Sequence, residues 1–360
     1  MGVDIKERKL EHIKIVVEED VSHTVTTWFE YIYLVHNSLP EADIDEVDTS
    51  TYFLGREFSY PILIDSMTGG VKGTEKINEK FALLADKYNI PISCGSQKAA
   101  LNDSSVEYTY NIIREVSSDV FLIGNIGAQD LVNDPINTAE KVVEMIEANA
   151  LAIHLNPLQE VIQRGTVNYK GVINTIEKVV DHLDVPVIVK ETGSGISMGV
   201  AKILESIGVS AINVSGAGGT SWSAVEAIRN RLRDNRLLSE VGELYRGWGI
   251  PTAASLIEVV KSVEIPVISS GGIRSGLDIA KSLIIGATLA GLAAPFIRAL
   301  YRGGFKELEY LFNKLVFELK LALFLAGIAS VKELEKKNIP YIIIGPLREW
   351  LIQREVLSNE

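Results

Sequence analysis

The chain has 360 residues, 47% hydrophobic and 23% charged, which supports a large buried core and rules out a disordered composition. A formal net charge of −12 without a long basic block excludes a general nucleic-acid binder, although a few cations can still be focused in one pocket. The single cysteine, Cys94, excludes an internal disulfide framework and a cysteine zinc cluster, and it reads as a small core residue.

The amino-terminal stretch MGVDIKERKLEHIK is charged and has no apolar h-region. The most apolar run, LIIGATLAGLAAPFI, is short and glycine-rich for a bilayer span, so a soluble cytoplasmic protein is expected, with no membrane or nucleic-acid partner. ERKLEHI presents Arg8, Lys9 and His12, with Arg8 and His12 on one face at helical spacing. Alone this reads as solvated surface; only placement over a binding site would change that.

From residue 61 one pattern repeats eight times: a β-rich apolar run ends in small polar residues, and an amphipathic stretch follows. The runs begin with PILIDSMTGG (61–70), IPISCGSQ (90–97), VFLIGNIG (120–127) and ALAIHLNP (150–157). They continue with VPVIVKETG (185–193), AINVSGAGGT (211–220), IPVISSGGI (265–273) and ATLAGLAAPF (287–296). Runs apolar on consecutive positions suit parallel strands covered on both faces. Segments such as EKINEKFALLADKYN and TAEKVVEMIEAN have helical periodicity. Eight βα units without a composition break predict a TIM (β/α)8 barrel, ahead of a doubly wound sheet.

No flexible linker is evident, so residues 1–360 read as one domain. Residues 1–59 form an extension, about 60–300 the barrel, and 301–360 a carboxyl-terminal helical segment with a long helix near 305–330. The longest interruption, about 222–248 after strand six, is a candidate lid.

In a barrel the carboxyl ends of all strands meet at one mouth. This gathers Ser66, Met67 and Thr68 with Ser96, Gln97 and Lys98, then Asn125, His154, Asn156, Gln159 and Glu160. Lys190, Glu191, Ser215, Thr220 and Gly271 to Arg274 complete the set. SGGIRSG (270–276) lets backbone approach a ligand and leads into a helix whose first amides are expected to be free, an arrangement suited to phosphate. The small residues of GLAAP leave room beside it. Lys190 closes a buried strand and needs an anionic partner, either a barrel carboxylate such as Glu191 or an electron-rich ligand such as a flavin ring.

ERKLEHI, DSMTGG, GSQKAA, GNIGA, HLNPLQE, VKETG, GAGGTSW, WGIPTA and SGGIRSG occur in this order from about residue 6 to 330. This set resembles the type 2 isopentenyl diphosphate isomerases; GGIRSG alone is shared with other FMN barrels. The resemblance implies interconversion of isopentenyl and dimethylallyl diphosphate, with reduced FMN, NADPH or NADH as reductant, Mg2+, and a tetrameric or larger homo-oligomer. No side chain in these motifs is an obvious strong acid, so N5 of the reduced FMN is the favoured acid–base group of a protonation–deprotonation route, with Gln159, His154 and Asn156 in support. By the same resemblance, Arg8, Lys9, His12, Ser96, Gln97, Lys98 and Gln159 would bind substrate, with Lys98 standing where the family often has arginine. Ser66, Met67, Thr68, Ser96, Asn125, Lys190, Ser215 and Thr220 would bind FMN. Gly272, Ile273, Arg274, Ala293 and Ala294 would take its phosphate, and Glu160 would hold Mg2+.

The alternative is an FMN-dependent oxidoreductase of the hydroxyacid oxidase or inosinate dehydrogenase type. The first needs a histidine just before the phosphate turn, where this chain has IPVISS. The second needs a cysteine after strand six, where it has SGAGGTSW.

Overall fold

In the computed structural model, described over residues 5–334 and 339–358, eight parallel strands close into a barrel. In chain order they are β1 (Ile62–Ile64), β2 (Ile92–Ser93), β3 (Leu122–Gly127) and β4 (Ala150–Leu155), then β5 (Val187–Glu191), β6 (Ala211–Asn213), β7 (Val267–Ser270) and β8 (Leu289–Leu292). Each strand pairs with its sequence neighbours, and β8 returns to β1. All eight lie within the runs predicted from sequence.

The twofold alternation of strand side chains explains the mouth. On β4 Leu151 and Ile153 belong to the core beneath the helices, whereas Ala150 and Ala152 belong to a separate cluster inside the barrel. Leu63, Ile123, Ile188, Ala211, Ile268 and Leu289 share that inner cluster. Two residues further along each strand the same inward face carries Asp65, Asn125, Lys190, Asn213, Ser270 and Gly291, and on β4 His154 follows Ala152. One period of two therefore turns an apolar filling into a polar floor.

The other end is plugged. A hairpin of Thr51–Phe53 and Arg56–Phe58 buries Phe53 and Phe58 against Phe121, with ring centroids 6.4 and 5.6 Å apart. The carboxyl-terminal part is not helical throughout. Ala294–Leu325 is one long helix interrupted at Gly303 and Gly304, where φ is −151° and +65°. Beyond it Tyr341–Ile343 forms a strand antiparallel to Ile32–Leu34, which fastens the two ends of the chain together. That pairing joins partners more than 300 positions apart, beyond the reach of local periodicity. Among the described residues no helix is long and apolar enough to cross a membrane.

Candidate active site

Helix α1 (Ile5–Glu18) lies over the barrel mouth, the condition under which ERKLEHI stops being ordinary surface. Lys9 Nζ donates to the carbonyls of Gly69 (2.6 Å) and Ser96 (2.7 Å) and to the Tyr110 hydroxyl (2.8 Å), pinning α1 to the loops after β1 and β2. Burial pulls its pKa down to about 7. Ile13, Ile15 and Val16 are buried on the same helix, and Ile13 and Val16 face the cavity beneath it.

Beneath α1 is a cavity of about 220 Å³. Around it the structure gathers Arg8, Lys9, His12, Ser66, Met67, Thr68, Ser96, Lys98 and Asn125. His154, Asn156, Gln159, Glu160, Lys190, Ser215 and Thr220 also line it, as do Gly272, Ile273, Arg274, Ala293 and Ala294. Gln97 does not. It is fully buried: its amide N–H donates to the Val142 carbonyl (2.8 Å), and its oxygen accepts the Asn125 amide (3.0 Å). Gln97 therefore braces the end of β3 from behind. Gln97→Leu is expected to cost about 2 kcal/mol, because both partners are left unpaired in the core. It should change KM for substrate little; denaturant unfolding and steady-state kinetics check the two parts.

The phosphate cradle differs from expectation in its donors. The helix after β7, Gly276–Ile285, is closed by a capping box between Ser275 and Asp278, and the Gly276 amide donates to Glu318 (2.8 Å). The Gly276 and Asp278 amides are therefore spoken for. The open donors lie just before it and at the next helix: among the described residues the amides of Gly272, Ile273, Ala293 and Ala294 have no protein acceptor. Ala294 starts α5 (Ala294–Leu325), whose amino terminus faces the same cavity. Arg274 stands alongside; burial first, then Arg298, holds its pKa below the usual arginine value.

Lys190 closes β5 with 6% exposure. Its ammonium donates to the Glu191 carbonyl (3.1 Å) and lies 3.8 Å from the Asp65 carboxylate. The structural ion pair open at the sequence level is thus to Asp65. Asp65 also accepts from Asn213 (3.0 Å), and Asn213 accepts from Ser270 (2.6 Å), which ties the floor across β1, β6 and β7. The Glu191 carboxylate instead gathers the amides of Thr192 (2.6 Å) and Gly193 (2.7 Å), while burial pushes its pKa up to about 7.

His154 Nδ1 is 2.8 Å from Asn125 Oδ1, so the ring donates there. Burial first, then Lys190 and Lys98, push its pKa down to about 3, and it is a neutral imidazole at physiological pH. Lys98 is paired with Asp130.

Helix α2 (Pro157–Arg164) starts from HLNPLQE and places Gln159 and Glu160 in its first turn. Gln159 Nε2 donates to Glu226 (3.3 Å), and its oxygen accepts from Asn156 (3.2 Å). Glu226 is fully buried on α3 (Trp222–Arg231), and His12 Nε2 donates to the same oxygen at 2.8 Å. Burial alone would push the Glu226 carboxyl up, but His12 and Arg229 hold it low, near 2. Arg229 bonds Glu226 and reaches Glu11 on α1 (3.0 Å), so α1, α2 and α3 meet on one charged chain.

Glu226, Asp65, Arg164 and Trp222 were not singled out from sequence. The signal for Glu226 was present: a carboxylate and Arg229 three positions on, within an otherwise small and apolar run AVEAIRN. The 222–248 stretch expected as a lid is a packed helical hairpin, α3 with α4 (Arg236–Leu244), because α3 buries this charged cluster.

Glu160 supplies one carboxylate, with 7% exposure. Its Oε1 accepts from Asn156 (3.3 Å); its buried Oε2 has no aligned hydrogen bond, although Arg164 Nε lies 2.9 Å away. No group of three acidic, histidine or cysteine side chains able to hold a metal occurs among the described residues. A cation here would need oxygens from a ligand and water as well, which suits Mg2+ with a diphosphate.

Residues 137–340 match the FMN-dependent dehydrogenase family. The isopentenyl-diphosphate delta-isomerase of Methanothermobacter thermautotrophicus is 47% identical, over 97% of this chain and 97% of that protein. Those of Halobacterium salinarum and Pyrococcus abyssi are 44% and 42% identical, over 97% and 98% of this chain and 96% of each relative. A mandelate oxidase variant with a monooxide FMN adduct superposes with a TM-score of 0.62 at 17% identity, over 96% of this chain and 94% of its own. Mandelate oxidase with (S)-2-phenylpropionate gives 0.63 at 17%, over 95% and 99%; these two share the fold. By sequence along nearly its whole length, the chain belongs to the isopentenyl-diphosphate delta-isomerase family, an isomerase built on the FMN-dependent dehydrogenase barrel.

Proposed function

We propose that this chain interconverts isopentenyl and dimethylallyl diphosphate by protonation and deprotonation, with reduced FMN in the barrel mouth, NADPH or NADH as reductant, and Mg2+. The observation that carries this reading is one cavity holding two separate anion sites. One is the cradle of open amides with Arg274; the other is formed by Arg8 on α1, with Glu160 as the carboxylate for a bridging cation.

The cradle of Gly272, Ile273, Arg274, Ala293 and Ala294 fits the FMN phosphate. Ser66, Met67, Thr68, Ser96, Asn125, Lys190, Ser215 and Thr220 would surround the rest of the cofactor. When bound, reduced FMN supplies an electron-rich ring face and an N5 position that can exchange a proton. Arg8 has no hydrogen-bond partner among the described residues, and its guanidinium is free for a diphosphate oxygen. Gln159 cannot serve as an acid; held by Glu226 and Asn156, its amide presents a fixed dipole to substrate. Trp222, edge-on to His12 with centroids 5.2 Å apart, adds an apolar wall, and α1 keeps water from the mouth.

The whole chain, 1–360, is read as one FMN-binding unit in the cytoplasm. A homo-oligomer belongs to the same reading, supported by exposed Leu232, Leu237, Leu244 and Trp248 along α3 and α4 and just beyond.

Loaded with FMN and reduced anaerobically by dithionite, the protein is expected to isomerise isopentenyl diphosphate when Mg2+ is present, without NADPH. Turnover that appears only when NADPH is added, with one NADPH consumed each time, would sink this reading in favour of an FMN oxidoreductase. Glu160→Gln is expected to abolish the activation by Mg2+; an unchanged Mg2+ dependence places the metal elsewhere.

A further inference from the structure

Arg164 ends α2 one turn after Glu160, and its guanidinium borders the cavity. Three observations converge on it. Glu160 Oε2 is buried without an aligned donor, and Arg164 Nε, at 2.9 Å, is the charge that faces it. The Arg164 side chain is 40% exposed, so it can leave that position without disturbing the core. Its charge also lowers the pKa of Arg8, after burial and against the opposing influence of Glu226. Arg8 and Arg164 therefore border one pocket close to Glu160, where both can face one anionic ligand.

A divalent cation at Glu160 would place two positive charges beside Arg164 and remove its reason to stay. We propose that Arg164 is an exchangeable counter-ion of Glu160: it neutralises the carboxylate while no metal is bound, is displaced when a divalent cation arrives, and then binds the diphosphate together with Arg8. This rests on the metal and substrate reading above and adds to it a residue outside the motifs that suggested that reading. The exchange keeps the local charge moderate throughout: Glu160 is never left bare, and the metal does not sit against a fixed arginine.

The test uses FMN-loaded protein, with Mn2+ as the probe for metal and inorganic pyrophosphate as the probe for diphosphate. Free Mn2+ is followed by electron paramagnetic resonance, and pyrophosphate binding by calorimetry at saturating Mn2+. Arg164→Gln is expected to bind Mn2+ alone about three- to fivefold more tightly, the range set by a half-exposed ion pair. It is expected to bind pyrophosphate about tenfold more weakly, for loss of a charge-assisted contact. Arg164→Lys keeps the charge and should return Mn2+ affinity toward the parent value while recovering pyrophosphate binding only in part. Mn2+ affinity that is unchanged or weaker in Arg164→Gln overturns the exchange, and so does unchanged pyrophosphate affinity. If Glu160→Gln binds Mn2+ as the parent does, the metal reading itself fails and this proposal with it.

Discussion

Glu226→Gln is expected to lower kcat/KM for isopentenyl diphosphate about 100-fold, the loss typical of a reacting geometry displaced by an ångström. Glu226 makes its contribution through others. One oxygen accepts from both His12 and Gln159, and the other from Arg229. Glutamine in its place carries no charge, and its NH2 must face either Arg229 or the His12–Gln159 pair, so one side of the cluster loses its acceptor and the anchor of Gln159 weakens. Arg229 retains Glu11, which limits the stability loss to about 3 kcal/mol or less. FMN affinity should stay close to that of the parent, since no cradle residue touches Glu226. Flavin titration separates the two effects. Parent-like turnover in a folded, FMN-loaded Glu226→Gln enzyme would show that the Gln159 amide needs no anchor.

Gly272→Ala is expected to weaken FMN binding at least about tenfold, and to lower the melting temperature of the apoprotein. Gly272 has φ +78°, and a Cβ there would lie 2.4 Å from Thr27 Cγ2 and 2.7 Å from the Gly218 carbonyl. Left-handed backbone costs an alanine about 1–2 kcal/mol, and overpacking adds about 1–3 kcal/mol. Relief requires the turn to move, and the turn carries the open amides of the cradle. Gly304→Ala is the control: φ is +65°, but no atom lies within 4 Å of the added Cβ. It should pay the backbone cost alone and leave FMN affinity unchanged. Equal FMN affinity in the two variants would mean that the Gly271–Arg274 turn does not hold the phosphate.

Much of the fold was legible because it is written in short periods. Eight apolar runs, each ending in small polar residues, gave the strands and their order. The same twofold alternation placed His154 two residues after Ala152, and Lys190 two after Ile188. The family motifs then collected residues that the barrel does bring to one cavity, from Arg8 to Ala294. The exceptions share a cause. Gln97 sits in a motif beside Ser96 and Lys98, yet the loop turns it inward to the Val142 carbonyl, and no local pattern records that turn. Lys190 could have paired with Glu191 next to it; closure of the barrel brought Asp65 instead, and three backbone amides took Glu191.

The sequence by itself determined the secondary-structure order, the barrel class and the polar rim, because these depend on side-chain periodicity over a few residues. Only the tertiary structure decided which polar groups remain free. Asp65 meets Asn213 across 148 positions, and His12 meets Glu226 across 214. Such pairings exist only once the barrel is closed and α1 is laid over it, and each one removes a donor or acceptor from the ligand's reach. Among the described residues at the cavity, Arg8, the amides of Gly272, Ile273, Ala293 and Ala294, and Gln163 Nε2 are left without a hydrogen-bond partner, while one oxygen of Glu160 keeps only its ion pair with Arg164.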